Sequence, residues 1–69
     1  MLGTLALVGE TGVAREALAP VGHVAIHGEL WRATAEGGGA IDAGTRVRVV
    51  SVQGLTINVV KDPSGGGAE

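Results

Sequence analysis

The sequence contains no cysteine, no phenylalanine and no tyrosine, and its single tryptophan is Trp31. Without cysteine there can be no disulfide and no thiolate zinc site, which leaves His23 and His27 as the softer candidate metal ligands. Seven acidic side chains against five basic ones give a net charge of −2, which disfavours binding to nucleic acid through its phosphates. The 69 residues suffice for one small domain, whose core must be aliphatic apart from Trp31.

Long apolar segments are also missing. The longest apolar run near the start spans residues 5–8, far short of the ~20 residues of a transmembrane helix, and no basic segment precedes it as in a signal peptide. We therefore expect this chain to be soluble. Its last residues, PSGGGAE, are glycine-rich, so we expect residues 1–7 to form a flexible lead, 8–61 the folded domain and 62–69 a disordered tail.

What the sequence does contain is glycine and short β-patterned runs. In VAIHGELWRA, residues 24–33, His27 and Gly28 are predicted to form a two-residue type I′ turn, since both residue types tolerate positive φ. Pairing outward from this turn places Val24 opposite Trp31. Trp31 is therefore predicted to point inward, on the aliphatic face of the hairpin.

A second hairpin is predicted over residues 46–60, RVRVVSVQGLTINVV, with Gln53 and Gly54 as the connection. Pairing outward places Val52 opposite Leu55 and Val50 opposite Ile57. The consecutive valines at 49 and 50 could mark a β-bulge. The two hairpins together predict a core of Val24, Ile26, Trp31, Ala33, Val50, Val52, Leu55 and Ile57.

The spacing of these runs predicts an all-β fold. A further strand is expected at residues 12–15, Pro20 makes residues 16–22 a connector rather than a helix, and Ile41 in the glycine-rich loop 36–45 is expected to plug one end of the core. Five short strands in this order predict a five-stranded, partly open barrel of the OB type. A small SH3-like barrel is the alternative fold.

No pattern in the chain indicates catalysis or metal binding. Ser51 lies in the middle of a strand and Ser64 in the tail, and neither is in a nucleophile elbow. His23 and His27 are four residues apart on one strand, about 13 Å, which is too far for one metal ion. We therefore expect no catalytic residue, no metal and no cofactor, and a chain that is not an enzyme.

A surface for protein contact is the remaining possibility. OB barrels that bind single-stranded nucleic acid stack bases on exposed aromatic side chains over a basic groove, and this acidic chain has one aromatic residue, predicted inward. Exposed apolar area instead tends to mark protein interaction sites. The residues predicted to form such a surface are Leu30, Val47, Val49 and Val60.

Three segments carry a resemblance to a known family: GETGVAREAL, PVGHVAIHGELWRA and IDAGTRVRVVSVQGLTINV. In this order they resemble the C-terminal domain of the NfeD family over roughly residues 8–60. The elements, among them the Gly-Glu-x-Trp-x-Ala run at residues 28–33, are weak singly, and their order makes them fairly specific. His27 departs from the pattern, because the family usually has Asp or Asn in this turn.

The resemblance implies an OB-type barrel that follows transmembrane helices, which this chain lacks. It implies a non-catalytic interaction module that acts with stomatin-, prohibitin- or flotillin-like proteins in organising membranes or controlling their quality. The full-length protein is expected to be membrane-anchored, with this domain in the cytoplasm. Two alternatives stay open: a single-stranded nucleic-acid-binding module, and a regulatory domain of a membrane-bound serine protease.

Overall fold

A computed structural model describes residues 7–62, which form a closed five-stranded barrel. The predicted lead and tail lie outside the described residues except for Leu7, which packs against the core, and Asp62, which is buried. The strands are β1 (Thr11–Ala14), β2 (Val21–Ile26), β3 (Glu29–Ala35), β4 (Arg46–Gln53) and β5 (Thr56–Lys61), and a 3-10 turn covers Glu36–Gly38.

The order of the strands around the barrel is β1, β2, β3, β5, β4, with β4 closing onto β1. The pair β3 and β5 is parallel, and all other neighbouring pairs are antiparallel. This mixed arrangement confirms the predicted OB-type barrel rather than the SH3-like one. Closing the sheet removes most of the unpaired strand edges that an open sheet would expose.

The first hairpin has the predicted turn and register. His27 has φ 53° and Gly28 has φ 79°, as a type I′ turn requires, and Val24 lies directly opposite Trp31. Val24 and Ile26 are fully buried on the inner face. The alternation of apolar and polar side chains along β2 and β3 was therefore a reliable guide to which face points inward.

The second hairpin differs from the prediction by one residue. Its turn consists of Gly54 and Leu55, and Gln53 pairs with Thr56. The reason is that Gly54, with φ 60°, takes the first central position of the turn, as glycine does in type II′ turns, and not the second. Leu55 was predicted to be in the core, but the turn leaves it 81% exposed.

A β-bulge at Val50 changes the inward face of β4. The pairing with β5 shifts between Val49 and Ser51, so Val50 is an extra residue on its strand. Val50 was predicted in the core but is exposed, whereas Val47 and Val49, predicted on the surface, are fully buried. The predicted core assumes strict alternation along β4, and because the bulge interrupts this alternation, the first half of the strand faces the opposite way from the prediction.

The end of the barrel where β2 begins and β3 ends, called the far end below, is closed by two loop residues. Leu18, in the connector between β1 and β2, exchanges both backbone hydrogen bonds with Ile41, at 2.8 and 2.9 Å. Both side chains are buried, so Ile41 plugs the core as predicted. Within residues 7–62, the buried apolar side chains are Ala14, Leu18, Val24, Ile26, Ala33, Ala35, Ile41, Val47, Val49, Ile57 and Val59.

Candidate interaction surface

Large apolar side chains remain on the outside of this closed core. Of the predicted interaction residues, Leu30 is 61% exposed and Val60 is half-buried, while Val47 and Val49 belong to the core. Sequence reasoning missed most of the exposed apolar residues, because they lie in a turn, at a bulge or on strands assigned to other roles. The exposed set among the described residues is Val8, Val13, Val21, Leu30, Val50 and Leu55.

The two most exposed of these residues lie at the same end of the barrel. Strand β3 runs parallel to β5, with Arg32 level with Thr56. Leu30 precedes Arg32 by two residues and Leu55 precedes Thr56 by one, so both leave the barrel beside each other where β3 and β5 begin. Leu30, Trp31 and Leu55 are called the apolar end below.

Trp31 closes the barrel behind these leucines. Its side chain is on the inner face opposite Val24 and packs against the core, but it is only partly buried and not fully enclosed as predicted. The indole Nε1 is buried and has no hydrogen-bond acceptor among residues 7–62. A buried N–H group without an acceptor costs about 1–3 kcal/mol, so within these residues the side chain of Trp31 is held by apolar packing.

The charges around the apolar end are unevenly paired. His27 Nε2 and Glu10 Oε1 are 2.9 Å apart, so the turn histidine contacts the residue that directly precedes β1. Glu29 is exposed, directly precedes Leu30, and makes no ion pair among residues 7–62. The apolar end therefore carries one uncompensated carboxylate.

Two basic side chains gather instead at the start of β4. Asp62 is buried, and its carboxylate lies 3.6 Å from both Arg46 Nε and Arg48 Nη2. Asp62 also donates its backbone N–H to the carbonyl of Arg46. The charges of these two arginines are therefore partly neutralised by a carboxylate whose residue fixes the end of β5 to β4.

The candidate catalytic and metal-ligating residues are separated in space. Ser51 Oγ accepts a hydrogen bond from Asn58 Nδ2 at 2.9 Å, and His23 contacts Glu16 at 2.7 Å. Across residues 7–62, histidines and carboxylates do not gather into any group of three that could hold a metal ion. The same residues include no helix of the length and apolarity needed to span a membrane.

Comparison with known proteins adds the family to this description. The model of the NfeD-like C-terminal, partner-binding domain matches residues 4–61. The chain belongs to the NfeD family. The resemblance carried by GELWRA and its flanking segments is thereby confirmed.

Two solved structures share this NfeD barrel. The C-terminal domain of the stomatin operon partner protein 1510-C from Pyrococcus horikoshii is 39% identical, has a TM-score of 0.83, and is matched over 90% of this chain and 97% of that one. The soluble domain of a membrane protein implicated in regulation of membrane protease activity, from Corynebacterium glutamicum, is 33% identical with a TM-score of 0.76, over 81% and 92%.

One relative is much longer than this domain. The membrane-bound protease PH1510 of Pyrococcus horikoshii is 41% identical over 61 residues, which cover 88% of this chain. The NfeD chain spans only 14% of that protease's length. The match therefore concerns one small part of a protein named for an activity of the whole.

Proposed function

We propose that this NfeD domain is a non-catalytic module that binds a stomatin-, prohibitin- or flotillin-like protein. The full-length protein is anchored in a membrane, and this domain lies in the cytoplasm. The family domain is described as partner-binding, and one relative is named a stomatin operon partner protein. Binding such a protein would place the NfeD protein at the membrane regions that these proteins organise.

The exposure of Leu30 and Leu55 is the observation that carries this proposal. The core closes without them, and they remain 61% and 81% exposed. Burying both would stabilise a complex by about 1.5–3 kcal/mol each before the costs of association. Neither side chain stabilises the isolated barrel much, so protein contact is the function that explains their chemistry best.

The direct test is a calorimetric titration, in which this chain is added to the stomatin-like protein of the same organism and the binding affinity is measured. We expect saturable binding, which the double variant Leu30→Thr, Leu55→Ser weakens at least tenfold. The matched control is Val21→Thr, an exposed valine at the opposite end of β2, which should change affinity less than twofold. No binding by the wild-type chain would reject the proposal.

A single-stranded oligonucleotide serves as the second titrant. Trp31 is the only aromatic residue, and its ring packs against the core, so it cannot stack with bases as OB barrels that bind nucleic acid require. We expect no binding at physiological salt. Micromolar binding that weakens steeply as salt rises would favour the nucleic-acid-binding function instead.

Regulation of a protease is a second candidate function, which the names of two relatives favour. One is called a membrane-bound protease and another is implicated in regulation of membrane protease activity. Substrate cleavage by a protease that carries or neighbours this domain would be compared with and without the domain. Unchanged cleavage would reject this second function without affecting partner binding.

A further inference from the structure

We infer that the partner binds by adding an extended segment to the exposed edge of β3 at Leu30, with apolar side chains against Leu30 and Leu55 and a basic side chain opposite Glu29. This inference rests on the proposed partner-binding function. It specifies the place, the backbone conformation and the chemistry of the contact.

The first observation is a gap in the sheet. Ile26 and Glu29 close the two-residue turn and are the first hydrogen-bonded pair, so the next pair, Ala25 and Leu30, is a non-hydrogen-bonded one. The N–H and C=O groups of Leu30 therefore point away from β2. On that side β5 pairs with β3 only from Arg32 onward, because Gly54 and Leu55 before it form the turn to β4 and do not continue the pairing along β3. Among residues 7–62, no turn or loop supplies a backbone hydrogen bond to Leu30.

The second observation is the chemistry around this gap. Adjacent strands lie about 4.8 Å apart, so a segment lying along β3 at Leu30 would approach the exposed side chain of Leu55 as well as that of Leu30. Its backbone would accept from and donate to Leu30, as in recognition by strand addition. A segment bound beside Leu30 would thus make main-chain hydrogen bonds to this residue and apolar contacts with both Leu30 and Leu55.

The charge of Glu29 selects among possible segments. Opposite charges directly across a strand pair are stabilising, and like charges are destabilising. Because Glu29 borders the gap and has no ion pair among the described residues, a basic side chain facing it is favoured over an acidic one. The gap covers residues 29–31, which lie before the first residue of β3 that pairs with β5. We therefore expect the added strand to be short and to form part of a larger interface.

A chemically synthesised chain tests the edge without removing a side chain. Leucic acid in place of Leu30 replaces only its N–H by an ester oxygen, and glycolic acid in place of Gly39, in an exposed loop, is the control. Each chain titrates the stomatin-like protein, and exchange of the Leu30 amide hydrogen is measured in the wild-type chain with and without that protein. We expect about fivefold weaker binding for the Leu30 ester, no change for the control, and slower exchange in the complex.

Two charge variants test the selection of the segment. Glu29→Lys should weaken binding about tenfold, whereas Glu36→Lys, in the 3-10 turn after β3, should change it less than twofold. If the partner binds and neither the ester, the exchange of Leu30 nor Glu29→Lys has an effect, strand addition is wrong while partner binding stands. If the stomatin-like protein does not bind the wild-type chain at all, the proposed function itself has failed.

Discussion

The indole N–H of Trp31 predicts an unusual pair of substitution effects. Trp31→Ala removes a large ring that packs against the core, and fully buried Trp to Ala changes cost about 3–5 kcal/mol. Because Trp31 is only partly buried, we expect about 2–3 kcal/mol. In a domain of this size the total free energy of unfolding is about 3–10 kcal/mol, so the alanine variant should be severely destabilised.

Trp31→Phe should behave differently. It loses part of the apolar contact area, at about 25 cal/mol per Å² or about 1–2 kcal/mol for the missing ring atoms. It also removes the buried Nε1 that has no acceptor, which otherwise costs about 1–3 kcal/mol. The two effects nearly cancel, so the phenylalanine variant should unfold within about 1 kcal/mol of the wild type.

Thermal unfolding followed by far-ultraviolet circular dichroism distinguishes the two variants, since both lack the only fluorescent tryptophan. A change of 1 kcal/mol shifts Tm by roughly 4–8 °C in a domain of this size. We expect Tm to fall by about 10–20 °C for alanine and by less than about 8 °C for phenylalanine. If phenylalanine is as damaging as alanine, the indole N–H makes a stabilising hydrogen bond and the account of this residue is wrong.

Three further predictions concern the barrel itself. Gly12→Ala should lower the free energy of unfolding in chemical denaturation by more than about 3 kcal/mol, because the added Cβ would collide with a backbone carbonyl of β2. The control Gly39→Ala, whose Cβ meets open space, should be neutral in the same assay. Leu18→Ala should cost about 2–5 kcal/mol by the same measurement, since Leu18 is fully buried, and a cost below 1 kcal/mol would mean that the far end is not packed. Asp62→Ala should lower the free energy of unfolding by about 1–2 kcal/mol, because the carboxylate lies between two arginines. The stability of this variant should depend less on salt concentration than that of the wild type, and equal salt dependence in both chains would contradict this.

The sequence predicted the fold well because its strongest signals are local. Tolerance of positive φ at His27 and Gly28 defines the first turn, and with it the register that sets Val24 opposite Trp31. The family resemblance independently implied the same barrel. Both sources of information depend on short segments, which are the part of a sequence that is easiest to interpret.

The candidate surface was harder to predict because a single residue changes which side chains face outward. Glycine can occupy either central position of a two-residue turn, and the choice at Gly54 decides whether Leu55 is in a strand or at the tip. The bulge at Val50 then exchanges the faces of β4, which moved Val47 and Val49 from the predicted surface into the core. The double valine suggests the bulge, but the position of the turn and the face that each half of β4 presents depend on how the hairpin packs onto the rest of the barrel.

The edge at Leu30 could not be anticipated from the sequence at all. It exists because β5 begins level with Arg32, two residues after Leu30 on the neighbouring strand. The register between two parallel strands that are not consecutive in the sequence is set by closure of the barrel and not by any local sequence pattern. Leu30 was predicted to be exposed, but its unpaired backbone follows only from the structure.

The central claim is that the apolar end binds the partner. The most direct test records amide chemical shifts of the isotope-labelled chain by nuclear magnetic resonance while the stomatin-like protein is added. We predict that the largest changes fall on Leu30, Trp31, Gly54 and Leu55, with little change at Leu18 and Ile41 at the other end of the barrel. Changes centred on Leu18 and Ile41, or no changes at saturating partner, would contradict the account.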